Sequence, residues 1–200
     1  MTSWARTIAD DPNHSTWYVE RMRGLAADGE DLAGEARFVA ALVGPGSRVL
    51  DAGCGSGRVS GAMKALGLSP VGVDLDPVLL DAAREDWPDI RFEQGDLGAL
   101  PSGLLESLGA PFDAVVCAGN VLPFMEDGAQ ARALAALFGA VRDGGRLAVG
   151  FGTNRGYALE QFVADAEGAG WRRDALFATW EMHARDDESD FVVGVFTRAS

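Results

Sequence analysis

Two hundred residues at 48% hydrophobic composition make one domain with enough apolar side chains to bury a sizeable core without covalent staples. A formal net charge of −13 disfavours an extended phosphate-binding surface, and with it a nucleic-acid partner. No stretch approaches the roughly 20 uninterrupted apolar residues of a membrane span, and an N-terminus holding Trp4, Arg6, Asp10 and Asp11 lacks the layout of a signal peptide. A cytoplasmic protein with no membrane partner is expected. Cys54 and Cys117 build neither a disulfide framework nor a CxxC motif, and His14 and His183 are too few to suggest a metal site.

Along the chain, a first helix is expected from about Ser15 to Ala27 and a second from about Leu32 to Val43, where Leu32, Ala36, Val39 and Val43 recur at helical spacing before Gly44-Pro45-Gly46. Short apolar runs then alternate with amphipathic ones, a pattern that argues for a parallel sheet with helices on both faces. The strand candidates are Arg48 to Asp51, Val71 to Asp74, Ile90 to Glu93, Phe112 to Cys117 and Arg146 to Phe151. Asp76-Pro77 reads as a helix start, an acid at the N-cap and proline at the first helical position. Further helices are expected from near Asp127 to Val141 and from about Tyr157 to Ala166. Two strand-like runs close the chain, Ala175 to His183 and Phe191 to Thr197. The acidic connector Arg185 to Asp190 is too short for a parallel crossover, so they should form an antiparallel hairpin.

The most informative stretch is Val49 to Arg58, an apolar strand that ends in Asp51 and runs into Gly53-Cys54-Gly55-Ser56-Gly57 before a helix. Glycines there mark a backbone-lined cradle, because a side chain would keep the backbone from approaching a ligand. The second strand ends in Asp74, 19 residues after Gly55, where a carboxylate can accept hydrogen bonds from both ribose hydroxyls of an adenosine. The third leads to Gly95-Asp96-Leu97, which brings a second carboxylate towards the adenine, and the fourth ends in Ala118-Gly119-Asn120. In an open parallel sheet, ligands bind beyond the carboxyl ends of the strands, where all of these residues fall. Each acid has a plainer reading: Asp74 as a helix cap, Asp96 as a turn former, Asp51 as a brace for the glycine loop.

With these motifs in hand, the sequence from about Ser47 to Thr197 resembles the class I S-adenosylmethionine-dependent methyltransferases. VLDAGCGSGRVS looks like the first motif of that family, VGVDLDP the second, GDL the third, FDAVVCAGNVL the fourth and VRDGGRLAVGF the stretch entering the fifth strand. The resemblance implies a three-layer α/β/α sandwich, a seven-stranded, mostly parallel sheet with an antiparallel last strand. It implies a single domain over residues 1–200, with residues 1–45 as a helical arm similar to the lid of small-molecule members, and hence a small-molecule acceptor. S-adenosylmethionine is the implied cofactor: Gly53, Cys54 and Gly55 would line its methionine part by backbone, with Gly57 in the same cofactor-binding cradle, Asp74 and Leu75 the ribose, and Asp96 and Leu97 the adenine. Asp51 would orient the loop and Ala118 to Asn120 would lie near the sulfonium, with Tyr18 or Arg23 as further contacts from the arm. The run Asn120 to Phe124 departs from the Asn-Pro-Pro-Tyr box of amino-methylating members at Val121 and Leu122, so it carries no inference of amine chemistry.

Methyl transfer needs mainly an acceptor held in line with the methyl–sulfur bond, and if a base helps, the candidates are His14 and His183. Both also read as ordinary surface or packing residues. A nicotinamide-dependent oxidoreductase shares the glycine turn and the acid, but its GxGxxG pattern would need glycine at 58 or 60, where Arg58 and Ser60 stand. A cofactor-binding protein without turnover would carry the same motifs, whereas an acidic interaction module would leave them as coincidence.

Overall fold

The computed structural model describes residues 3–199, so the outermost positions of the expected 1–200 domain lie outside the described residues. Three helices come first, α1 (Trp4–Asp10), α2 (His14–Ala27) and α3 (Gly34–Leu42). An alternating series follows: β1 (Arg48–Ala52), α4 (Arg58–Ala65), β2 (Ser69–Asp74), α5 (Pro77–Asp86), β3 (Arg91–Gln94), α6 (Leu104–Ser107) and β4 (Phe112–Cys117). The chain then runs through α7 (Ala129–Ala140), β5 (Val141–Gly152), α8 (Leu159–Gly168), β6 (Trp171–Phe177) and β7 (Phe191–Arg198). Among the described residues no helix is long and apolar enough to cross a membrane.

The strands form one sheet in the order β3-β2-β1-β4-β5-β7-β6, in which only β7 runs against its neighbours. The strand period of two sorts their side chains between the two faces. Leu50, Val115, Leu147 and Val149 pack with Leu134, Leu137 and Phe162 of α7 and α8. Val49, Ala114 and Val116 pack with Ala36, Val39, Val59 and Met63 of α3 and α4. Both faces are therefore covered, as the near-continuous apolar runs of β1 and β4 require. Asp76 caps α5 as expected, its side chain accepting from the backbone of Val78 and Leu79.

Two features differ from the sequence reading. The sixth strand is Trp171–Phe177 and not Ala175 to His183. Its first half hides as a charged run because β6 is an edge strand, where Arg172, Arg173 and Asp174 stay in ion pairs with Asp174, Glu167 and Arg146. The apolar run after it leaves the sheet, and Trp180 packs on Phe38 and across Gly150 instead. The other difference is α1, an extra helix inside the expected arm and ahead of its first expected helix.

Candidate functional site

β1 and β4 are sheet neighbours although they are not consecutive in sequence, so the chain winds outwards in opposite directions from them and leaves a crevice beyond their carboxyl ends. A cavity of about 570 Å³ occupies that crevice, a size typical of small-ligand sites. The end of β1 opens it with the glycine loop. Gly53 has φ +80°, and a Cβ there would lie 2.3 Å from Cγ2 of Val121. Its N–H and that of Cys54 donate to the carbonyl of Val73, at 2.8 and 3.1 Å. The loop is thus pinned to β2 with its backbone turned to the cavity.

Asp74 ends β2. One carboxylate oxygen accepts from the N–H of Gly55 at 2.7 Å and the other from the N–H of Asp76 at 2.9 Å. Burial nevertheless pushes this carboxyl above its ordinary value, against the pull of those two donors. Asp51 lies deeper and is pushed up to about 6, again chiefly by burial, with the Ser60 hydroxyl at 2.7 Å and the nearby Arg58 acting the other way. Asp96 caps the short 3-10 turn Leu97–Ala99 by accepting from the N–H of Gly98 at 2.8 Å, which occupies one of its oxygens.

Asn120, at the end of β4, takes φ +65°, and its side-chain oxygen accepts from the N–H of Gly152 at 2.8 Å. It is a clip between the ends of β4 and β5. Arg155, three residues past the end of β5, lines the cavity on that side.

The arm supplies the roof. Trp4, His14, Trp17 and Tyr18 all line the cavity, and the Trp4 ring meets His14, Tyr18 and Phe124 edge-on with centroids 5.1, 6.2 and 6.2 Å away. Burial raises the Tyr18 phenol above its ordinary value. Arg58 ties α3 to the glycine loop through a two-point pair with Glu35, at 2.6 and 2.9 Å. Burial acts to raise the Glu35 carboxyl, but Arg58 more than offsets it and the net direction is down.

The structure therefore gathers Asp51, Gly53, Cys54, Gly55, Asp74, Leu75, Asp96, Leu97, Ala118 and Asn120 around one cavity, with His14 in its wall. Three expectations need correction. Gly57 is not in the cavity wall; it is the close-packing point where α4 starts, and a Cβ there would lie 2.9 Å from Phe92 and from Trp87. His183 lies outside the cavity on the exposed excursion after β6, which the misplaced strand had carried to the sheet end. Arg23 faces away and pairs with Glu85 and Asp86 on the surface of α5. Cys54 contributes its backbone only, since its thiol packs among Leu80, Ala83, Ile90 and Phe92.

Sequence reasoning missed Trp4, Arg58, Phe124 and Arg155. Trp4 carried one usable signal, a serine N-cap at Ser3 ahead of a helical heptapeptide. The others are brought in by tertiary packing alone.

A family pattern described as a methyltransferase domain matches residues 49–145. A TehB-like SAM-dependent methyltransferase of known structure from Corynebacterium glutamicum is 38% identical, with a TM-score of 0.88, over 94% of this chain and 100% of that one. Among curated relatives, the ribosomal protein L11 methyltransferase of Deinococcus radiodurans is 41% identical over 78 residues, 36% of this chain and 28% of that protein. The ubiquinone biosynthesis O-methyltransferase of Xanthomonas campestris is 38% identical over 81 residues, 40% of this chain and 34% of that protein. This chain thus spans about a third or less of the length of those two curated relatives.

The expectation of a small-molecule acceptor is overturned by these relatives, several of which are named for a ribosomal protein. The physical reason is that the expectation rested on the arm's likeness to a lid, and aromatic rings that roof a cavity do not report the size of what binds beside it. The family match at residues 49–145 leaves out both the arm and Arg155, which complete the cavity on its other side.

Proposed function

Because the chain belongs to the class I S-adenosylmethionine-dependent methyltransferases, we propose that its cavity holds S-adenosylmethionine and that it transfers a methyl group to an acceptor bound beside Asn120. The observation that carries this reading is the convergence of the Gly53–Gly55 backbone, Asp74, Asp96 and Asn120 on one cavity. The residues present fit the cofactor. Each oxygen of Asp74 already takes one backbone N–H, and a carboxylate has about four acceptor sites, so two remain for a pair of vicinal hydroxyls. Gly55 turns bare backbone to the cavity, its missing Cβ having only Leu79 and Tyr18 near it at 3.9 Å, which leaves room for a ligand chain to lie against it.

In this reading Asp74 and Leu75 hold the ribose, Asp96 and Leu97 the adenine, and the Gly53-Cys54-Gly55 backbone the methionine part, with Asp51 bracing the loop. The sulfonium supplies an electrophilic methyl group. What the chain adds is orientation and exclusion of water: Trp4, Tyr18 and Phe124 roof the cavity, and the Asn120 clip fixes the wall where the acceptor would sit. His14 is the imidazole that lines the cavity from the arm and the candidate to take a proton from the acceptor.

The test is titration calorimetry of the full chain with S-adenosylmethionine, S-adenosylhomocysteine and NADH, repeated on Asp74→Ala. Micromolar binding of the first two, weakened roughly 10- to 100-fold in the variant, is the expected result. A preference for NADH, or equal binding by the variant, would overturn the reading.

A further inference from the structure

One carboxyl group ties both α1 and α2 of the arm to the start of α5, beside the apolar packing of Val19 on Leu79 and Ala82. Asp76 is 1% exposed. One of its oxygens caps α5, accepting from the N–H groups of Val78 at 2.9 Å and Leu79 at 3.4 Å. Capping uses only that oxygen. The other accepts from the indole N–H of Trp4 in α1, at 2.9 Å, and from the hydroxyl of Ser15 in α2.

This arrangement matters because α1 is seven residues long and buries none of them. A helix so short has little stability of its own and needs tertiary contacts. Its contacts run through Trp4, whose ring is the centre of the aromatic roof and whose one polar atom ends on Asp76. The backbone N–H of the same Asp76 donates to Asp74. A single turn, residues 74–76, therefore carries both the carboxylate assigned to the ribose and the anchor of the roof.

We propose that Asp76 is a positioning residue that makes cofactor retention depend on arm closure. By holding Trp4 and Ser15 it keeps the roof seated, and loss of those two bonds opens the path by which S-adenosylhomocysteine leaves. The inference rests on the cofactor reading above. It also distinguishes the latch from the arm's other polar attachment to α5, the Arg23 pair with Glu85 and Asp86, whose arginine and Glu85 are 46% and 73% exposed. Exposed pairs of that kind contribute little.

The experiment measures release of S-adenosylhomocysteine from the full chain by stopped flow, with hydrogen exchange of residues 4–27 in the free and bound protein. Ser15→Ala removes a donor that is no part of the cavity wall, and Trp4→Phe removes the indole N–H while keeping an aromatic ring. Each should release the ligand roughly 10-fold faster with a thermal midpoint within about 3 °C of the parent. Each should also lose the protection that binding confers on the arm, whereas Arg23→Ala should change release less than about twofold. Parental release rates in both latch variants, or an Arg23→Ala variant as fast as Ser15→Ala, would overturn the latch. A parent chain that binds no S-adenosylhomocysteine would instead overturn the cofactor reading beneath it.

Discussion

Gly53→Ala separates the two reasons for a glycine at the floor of the cavity. The residue sits at φ +80°, and an added Cβ would lie 2.3 and 2.7 Å from the two methyl groups of Val121. The left-handed conformation costs a side chain about 1–2 kcal/mol, and forcing a methyl group into packed surroundings adds about 1–3 kcal/mol. The expected destabilisation is thus roughly 2–5 kcal/mol. Gly46→Ala is the reference, since Gly46 has φ +76° with nothing within 4 Å of its missing Cβ. That variant should lose only the conformational part, about 1–2 kcal/mol. Urea denaturation followed by circular dichroism, extrapolated linearly, measures both. In a Val121→Ala background, where only the Cβ of residue 121 remains at 3.1 Å, the penalty at Gly53 should fall most of the way to that of Gly46, as a double-mutant cycle. Equal losses for Gly53→Ala and Gly46→Ala in the parent chain would refute the claim that Val121 closes the floor.

Other outcomes follow from the buried acids and the clip. Asp51 is raised by burial to about 6, so the stability it withholds is absent below about pH 4 and grows until about pH 6, reaching roughly 3 kcal/mol. Asp51→Asn, which keeps an oxygen for Ser60, should match the parent near pH 4 and exceed it at pH 7 in urea titrations. Glu35 runs the other way: its carboxyl is held below the usual range by Arg58 against the upward pull of burial. Its contribution is full above the unfolded value and fades as pH falls through the folded one. Glu35→Gln should therefore destabilise the chain at pH 7, with the gap to the parent closing in strong acid. Asn120→Ala loses the bond from Gly152 and meets the left-handed backbone without a polar side chain, a loss of about 2 kcal/mol by thermal denaturation. Asn120→Asp, which keeps the acceptor oxygen, should lose less than half of that.

The parallel strands were legible because their runs are apolar on both faces and each ends at a residue with work to do, such as Asp51 or Asp74. The turn at Asp76 was legible for the same local reason, an acid followed by proline. β6 was not, because an edge strand keeps one side in water, so Arg172, Arg173 and Asp174 look like a loop while Phe177 to Trp180 look like a strand. That error carried His183 to the sheet end. The carboxylates and glycines of the site could be read from their spacing after each strand, apart from Gly57, whose need is contact with Phe92 and Trp87 and not with a ligand. The roof could not. Trp4 meets Asp76 across 72 positions of sequence, and nothing in a heptapeptide announces such a partner.

The orientation of Cys54 has a consequence for the safety of the site. Its peptide faces the cavity while its sulfur is turned into the core, where burial holds the thiol well above its ordinary value and so in the protonated form. An activated methyl donor is an alkylating agent, and the thiolate is the form of cysteine that attacks such agents. A thiolate in the loop proposed to hold the donor would otherwise lie within reach of it. With the sulfur facing Leu80 and Phe92, the enzyme keeps its own loop from becoming a suicide substrate.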